Sequence, residues 1–228
     1  MAVFSDDFST RDLGIGAPIG WTLQWDSLAA EWEVLSESGA IGAQVLRGTG
    51  SDLKHRGISL DAALTSANGQ LLAKVKVGNT TGWAGLLTCR GSGNAGSETG
   101  VYGGFYNGKC LIYQNTSSSY AELAQASFSY TAGAYYWLRF KAISTNLSLK
   151  AWAVGTSEPF EWTVTASDAT VTSSGWFGLM HFDGGSTIVD YLASDSETTI
   201  DIPVPSVTPS ALSDTKHSRL VVCLDLRF

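Results

Sequence analysis

Three carboxylates close together in the sequence are the first candidates for chemistry. Glu31, Glu33 and Glu37 stand two and four residues apart in the segment EWEVLSE, so on a β-strand their side chains would share one face. Glycoside hydrolysis needs two carboxyl groups about 5–9 Å apart around the scissile bond. The same spacing is also typical of an amphipathic strand whose Trp32 and Val34 face the core while the glutamates are solvated. We favour the solvated face over catalysis.

Motifs for other catalytic chemistry are missing from the sequence. The histidines, His55, His181 and His217, lie near no G-x-S-x-G nucleophile elbow. The glycine-rich segment 91–93 lacks the Lys-Ser/Thr ending of a phosphate-binding loop. There is no HExxH sequence, EF-hand loop or Cys/His cluster. We therefore expect the protein not to be an enzyme.

Aromatic side chains on polar strand faces are the second set of candidates. A sugar ring offers an apolar face that stacks on Trp or Tyr, and hydroxyls that hydrogen-bond to polar side chains. Strand alternation places one such set beside basic residues, and a second set surrounds an Asn-Gly turn. The predicted carbohydrate contacts are Trp137, Arg139, Trp152, Tyr102, Tyr106 and Tyr113. The alternative is that these aromatics fill sheet edges and cover the ends of a core.

Three aspartates near the two ends of the predicted domain form a candidate metal site. Asp6 and Asp7 belong to the first strand segment and Asp190 to the last, so they converge if those strands pair. Carboxylate oxygens are the ligands that Ca²⁺ prefers. Ca²⁺ is the one candidate cofactor. The alternative is that these aspartates form turns and accept hydrogen bonds from the loop backbone.

Period-two alternation of apolar and polar residues dominates the chain and indicates antiparallel strands. The clearest examples are residues 70–77, 135–142 and 147–153. Asn107-Gly108 tolerates the positive φ angles of a type I′ turn and predicts a hairpin with Phe105 opposite Cys110. About a dozen such strands predict an all-β, two-sheet antiparallel β-sandwich, with a closed barrel as the alternative. We also expect the first and last strands to pair and seal the core.

Composition and charge exclude several partners. The net charge of −7 disfavours nucleic acid and anionic membrane surfaces, which both require a basic footprint. No apolar run approaches the roughly 20 residues of a transmembrane helix. The N-terminus MAVFSDDFS lacks the features of a signal peptide, so we expect synthesis in a cytosol.

The three cysteines, Cys89, Cys110 and Cys223, match no disulfide framework and no metal-ligand spacing. Free cysteine usually behaves as a small buried hydrophobe, and we favour that interpretation for Cys89 and Cys110. A Cys89–Cys110 bridge in an oxidising exterior is the alternative.

The character of the chain changes after residue 195. Three of the five prolines fall in the Ser/Thr-rich segment 196–215, which predicts an extended linker after a sandwich over residues 1–195. Residues 216–228 end in LVVCLDLRF, a β-prone strand that either folds back on the sandwich edge or adds to a neighbouring subunit as an arm. The predicted assembly residues are Leu220, Val221, Val222, Leu224, Leu226 and Phe228.

The sequence resembles the concanavalin A-like lectin/glucanase (LamG-like jelly-roll) superfamily in the order of several segments. These are FSDDFS, Gly20-Trp21, Trp32-Glu33-Val34, YYWLRFKA with LSLKAWAVG and EPFEW, SGWFGL and a closing VDYL, over residues 4–195. The resemblance implies a two-sheet jelly roll, often with a concave sugar-binding face and sometimes a bound Ca²⁺. The E-x-D-x-x-E catalytic strand of glucanase members is missing from this sequence, which agrees with a non-enzymatic function.

Domains of this superfamily usually act outside cells, whereas the sequence shows no export signal. A bacteriophage virion protein, made in the host cytoplasm and displayed on the particle, reconciles the two. Our hypothesis is a non-enzymatic, tail-associated structural protein that binds a cell-surface glycan and, through its arm, other virion proteins and copies of itself. The alternatives are a capsid decoration or adaptor module without a ligand, and a carbohydrate-active enzyme that uses Glu31, Glu33 or Glu37.

Overall fold

The computed structural model describes residues 4–25, 31–49, 56–60, 66–78, 81–93, 97–117, 119–182 and 187–195, and the single residue Val204. The elements within these ranges are sixteen β-strands arranged in two antiparallel sheets. The predicted all-β sandwich is therefore confirmed, and the closed barrel is not formed. In this part of the chain, no helix has the length and apolarity that crossing a bilayer requires.

The strands are short, as the frequent turn residues predict. In chain order they are β1 (Phe4–Asp6), β2 (Gly14–Ile15), β3 (Trp21–Trp25), β4 (Trp32–Ser36), β5 (Gln44–Gly48), β6 (Arg56–Leu60), β7 (Gly69–Val77), β8 (Trp83–Ser92), β9 (Thr99–Tyr106), β10 (Lys109–Thr116), β11 (Ser119–Ser127), β12 (Tyr135–Ile143), β13 (Asn146–Ala153), β14 (Val164–Ser167), β15 (Trp176–His181) and β16 (Thr187–Asp195).

The larger sheet has nine strands in the order β14-β13-β12-β7-β16-β5-β4-β2, with β1 pairing to β16 beside this path. Phe4 lies opposite Ser194, and Asp6 lies opposite Leu192. The predicted pairing of the first and last strands of the sandwich is thus confirmed.

The smaller sheet has seven strands in the order β11-β10-β9-β8-β15-β6-β3. Asn107 and Gly108 connect β9 to β10 with φ angles of 46° and 77°, as a type I′ turn requires. Phe105 lies opposite Cys110, as predicted. This hairpin fixes the register of the strands that later form the candidate site.

The core lies between the two sheets and is filled by every second side chain of the strands. On β7 the inward residues are Leu71, Ala73, Val75 and Val77, and on β12 they are Tyr136, Leu138, Phe140 and Ala142. Both sets were predicted from the alternation. Each large aliphatic side chain buried in this way stabilises the fold by about 1.5–3 kcal/mol relative to exposure.

The outer face of the nine-stranded sheet is also covered, which simple alternation does not predict. Leu72, Trp137, Trp152 and Ala193 form a second buried cluster there, and Val204 packs against it. Both faces of the central strands therefore exclude water.

The predicted linker (196–215) and arm (216–228) lie outside the described residues, apart from Val204. The same is true of Cys223 and of the predicted assembly residues, which are Leu220, Val221, Val222, Leu224, Leu226 and Phe228. Their assembly role stays a prediction from the sequence.

Candidate functional site

Each of the three candidate catalytic glutamates contacts a different basic residue. The ion pairs are Glu31–Arg56, Glu33–Arg47 and Glu37–Lys76. Trp32 and Val34 are buried in the core, as the amphipathic-strand interpretation predicts. Each carboxylate is thus balanced by its own cation, as on the solvated face of an amphipathic strand.

The aromatics predicted to lie on the solvated face of β12 and β13 are buried instead. Trp137 is 3% exposed and Trp152 is 5% exposed, and their rings stack with centroids 6.4 Å apart. They pack with Leu72 and Ala193. The prediction that Trp137 and Trp152 contact a carbohydrate is therefore wrong, because other parts of the chain cover this face of the sheet.

Arg139, the third predicted contact on this face, is buried in an ion-pair triad. Its Nε and Nη2 donate to the two carboxylate oxygens of Glu158, both at 2.8 Å, and Lys150 Nζ lies 2.6 Å from Glu158 Oε1. Lys150 also donates to the carbonyl of Pro159 and stands 4.7 Å from the ring centroid of Trp162. The segment after β13 is thus anchored over the sheet, and Arg139 is a structural residue rather than a ligand contact.

The three predicted calcium ligands are engaged in other contacts. Asp6 accepts hydrogen bonds from the Phe8 amide, from Arg11 and from Trp21 Nε1, all within 2.9 Å. Such contacts fix the loop after β1, which is the alternative role considered for these aspartates.

Asp190 is fully buried, where it contacts Lys74 and accepts a hydrogen bond of 2.7 Å from the Ile41 amide. Burial raises the pKa of Asp190, and the bond and charge of Lys74 counter part of that effect. Asp7 accepts bonds from the Ser9 amide and hydroxyl. Among the described residues no three His, Cys, Asp or Glu side chains form a group that would hold a metal ion.

The tyrosines predicted around the Asn-Gly turn do lie together, on the outer face of the seven-stranded sheet. Tyr102 and Tyr113 are direct cross-strand partners on β9 and β10. Trp83 of β8 joins them: its ring stacks on Tyr106 with centroids 4.4 Å apart and meets Tyr113 edge to face at 5.2 Å. This part of the sequence prediction is confirmed as an arrangement.

These rings border a pocket of about 160 Å³ that we call the aromatic pocket. It is lined by Trp83, Tyr102, Tyr113, Tyr120, Met180 and Phe182. Tyr102 and Met180 are each 2% exposed and form its floor, whereas Tyr120 is 48% exposed and lies at its rim. Tyr106 does not line the pocket but backs the ring of Trp83.

Four of the six lining residues were missed by the sequence prediction. Trp83, Tyr120, Met180 and Phe182 come from chain segments far from the Asn-Gly turn and reach the site through β8, β11 and β15. The turn sets only the β9–β10 register, so it gives no signal for Trp83, which pairs with Tyr106 from β8.

Carboxylates stand beside the pocket. Glu122 on β11 lies opposite Tyr113, and Tyr120 lies opposite Asn115 on the same pair of strands. Since directly opposed residues share a sheet face, Glu122 points to the same side as Tyr113. Glu98 immediately precedes β9 and is 7% exposed. It stands four residues before Tyr102, so strand alternation places the two side chains on the same face of the sheet.

The three tyrosines of the pocket all have a raised pKa, chiefly because they are desolvated by burial. The negative charge of Glu98 adds to this effect at Tyr102 and Tyr120, and that of Glu122 adds to it at Tyr113. Their hydroxyls therefore remain protonated at neutral pH and can donate hydrogen bonds.

A larger cavity, about 390 Å³, runs along residues 10–19 and Val34. It exposes the apolar side chains of Leu13, Ile15 and Ile19. None of the described residues that line it is aromatic. The aromatic pocket is therefore the better candidate for a ligand that stacks on rings.

Cys89 and Cys110 are buried free thiols. Cys89 of β8 pairs with Val101, and Cys110 of β10 pairs with Phe105. Val101 and Phe105 are four residues apart on β9, and β8 and β10 flank β9 on opposite sides. At about 3.3 Å per residue this separation exceeds the roughly 7 Å limit between the Cα atoms of a disulfide. The alternative of a Cys89–Cys110 bridge is thus wrong. Burial raises the pKa of Cys110 to about 12 and that of Cys89 further still, so both stay protonated.

No protein-family model matches the sequence, and no curated protein matches it either. Solved structures do resemble the fold. The carbohydrate-binding module CBM66 from Bacillus subtilis superposes with a TM-score of 0.54 at 17% identity, over 77% of this chain and 94% of that one. The exoplasmic/lumenal domain of VIP36 in its Ca²⁺/Man2-bound form gives 0.52 at 11% identity, over 81% and 84%.

A mutant of the GH43 protein BlXynB from Bacillus licheniformis gives a TM-score of 0.56 at 13% identity, over 85% of this chain but only 39% of that one. These solved structures share the two-sheet antiparallel β-sandwich fold of this chain. The fold resemblance implied by the sequence segments is thereby confirmed. At such low identity the likeness extends to the fold alone.

Proposed function

We propose that this protein is a non-enzymatic carbohydrate-binding protein whose aromatic pocket receives one sugar residue of a surface glycan. The observation that carries the proposal is the pocket itself: five aromatic rings with Met180 beside them, open at the rim formed by Tyr120. A sugar stacks its apolar C–H face on such rings.

Polar groups in the same place suit the hydroxyls of a sugar. The phenol groups of Tyr102, Tyr113 and Tyr120 belong to the pocket lining, and Asn115, the cross-strand partner of Tyr120, lies beside them. At about 160 Å³ the pocket is smaller than the roughly 300–1,000 Å³ of sites that enclose drug-sized ligands. One ring at a chain end or branch fits this size better than an extended oligosaccharide.

The fold neighbours support the proposal, since one is a carbohydrate-binding module and another is the VIP36 domain in a Ca²⁺/Man2-bound form. The GH43 neighbour favours the enzymatic alternative. Against that alternative, the candidate glutamates, Glu31, Glu33 and Glu37, are each paired with a cation.

We also propose, from the sequence, a tail-associated virion role in which the pocket attaches the particle to a host glycan. The composition of residues 196–228, a Pro/Ser/Thr-rich stretch followed by a β-prone end, supports an assembly arm.

Glycan-array screening of the full chain, followed by calorimetry on the best ligand, tests the proposed function. Tyr120→Ala should weaken binding about tenfold or more, because a lost aromatic contact of about 1.4 kcal/mol corresponds to a factor of ten. The matched control is Phe160→Ala, since Phe160 is a 93% exposed aromatic that does not line the pocket.

Equal affinity of both variants would place the glycan elsewhere, and the pocket assignment would be wrong. Release of reducing ends from the bound glycan would contradict the non-enzymatic function.

A further inference from the structure

Two rings of the aromatic pocket stand nearly at right angles to the ring of Trp83. The Trp83 ring lies at 90° to Tyr113 and at 80° to Phe182, with centroids 5.2 and 6.3 Å apart. Tyr102 and Met180 close the floor. Besides offering ring faces on which a sugar can stack, walls at right angles enclose a compact, rounded substituent of that sugar.

In the described part of the chain, the charged side chains that act on the pocket tyrosines are carboxylates. None of the six lining residues is basic. Glu122 shares the face of Tyr113, and Glu98 acts electrostatically on Tyr102 and Tyr120. The lysine of the neighbouring turn, Lys109, directs its ammonium to Gln125 at 2.5 Å. A positive ligand group would be attracted here, and an anionic sugar would be repelled.

Aromatic faces attract cations through the ring quadrupole, most strongly for Trp and when the cation is desolvated. Phenol and indole walls, nearby carboxylates and a volume of about 160 Å³ together match a substituted ammonium group. Neither a carboxylated nor a sulfated sugar satisfies these conditions.

We infer that the aromatic pocket recognises a cationic ammonium group, free or N-methylated, carried by the glycan. This inference rests on the proposed function for its carbohydrate context, and it specifies the chemical class of the ligand.

Two matched probe pairs test it by calorimetry on the full chain at low salt. Choline is compared with its uncharged isostere 3,3-dimethyl-1-butanol, and glucosamine is compared with N-acetylglucosamine. We expect the cationic member of at least one pair to bind tenfold or more tightly, and the pair that discriminates identifies the substituent. Glu122→Gln should reduce that preference, whereas the exposed control Glu161→Gln should not.

Equal binding of both members in both pairs would overturn the inference, because the pocket would then be merely apolar. Binding of array glycans without any cation preference would overturn it while leaving the proposed function intact. If the pocket binds the cationic probes selectively but no glycan on the array, the ligand class would be supported and the proposed carbohydrate-binding function would be wrong.

Discussion

Charged residues on the outer face of the nine-stranded sheet are buried by the segment that follows β13. Arg139 is 2% exposed although alternation places it opposite the core, and its charge is balanced by Glu158. Lys150 shares the same carboxylate. One acidic side chain thus holds two buried cations, so its removal costs more than a surface ion pair would.

Glu158→Gln is expected to lower the free energy of unfolding by about 2–3 kcal/mol at neutral pH. This is below the roughly 3–5 kcal/mol of a fully buried pair, because the Glu158 side chain is 25% exposed. Urea denaturation of the two proteins measures the difference. Glu161→Gln, on the same segment but exposed, should change stability by less than about 0.5 kcal/mol.

The effect of Glu158→Gln should depend on pH. Burial by itself would raise the pKa of Glu158, but hydrogen bonds and charges from Arg139 and Lys150 outweigh it and hold the pKa below its usual value. A lowered folded-state pKa contributes stability above the unfolded value of about 4.3, and the contribution is lost as pH falls through the folded value. The difference in unfolding free energy between the unmodified protein and Glu158→Gln should therefore narrow below about pH 4. A gap that stays constant down to pH 3 would contradict the ionic explanation.

At the scale of the strands, close packing of β15 against β6 shapes the sheet beneath the pocket. A Cβ atom on Gly178 would lie 2.2 Å from the Ile58 carbonyl oxygen and 2.9 Å from Ser59 Cα. Both are backbone atoms, so no side-chain rotation relieves the clash. Met180, two residues further along β15, lies on the pocket floor.

Gly178→Ala should destabilise the protein by about 1–3 kcal/mol, as overpacking of a tight core does, and should weaken ligand binding through Met180. Thermal and urea unfolding measure the first effect, and calorimetry measures the second. Gly100→Ala is the control, because the nearest atom to its added Cβ is 3.4 Å away. If the two variants lose equal stability, contact with β6 is not what requires glycine at position 178.

Sequence reasoning works here wherever structure is set by neighbouring residues. Period-two alternation predicts which residues of β7 and β12 face the core. The β9–β10 register follows from the Asn107-Gly108 turn. The aromatic pocket needs β8, β11 and β15 to meet across long sequence separations, which no local pattern encodes. The burial of Trp137 depends on a segment that folds over the sheet, so alternation assigns its face correctly but not its exposure.

At the scale of the whole molecule, the two sheets differ in what lies on their outer faces. The outer face of the nine-stranded sheet carries a buried cluster of Leu72, Trp137, Trp152 and Ala193, against which Val204 packs. The outer face of the seven-stranded sheet carries the aromatic pocket. In the described part of the chain, the first face contributes to stability through buried apolar contacts, and the second carries the pocket to which we assign the ligand in our proposal.

The C-terminal strand predicted over residues 216–228 gives the last expectation, which concerns assembly. In LVVCLDLRF, Val222 and Leu224 alternate in step with Leu220, Leu226 and Phe228, whereas Asp225 falls on the opposite face of the strand. If the strand adds to a neighbouring subunit, charges on its apolar face should prevent pairing. The double variant Val222→Asp/Leu224→Asp should be monomeric in sedimentation velocity, whereas the unmodified chain should show concentration-dependent association. Asp225→Ser, on the other face, should associate like the unmodified chain. An unmodified chain that stays monomeric at every concentration would contradict self-assembly through the arm.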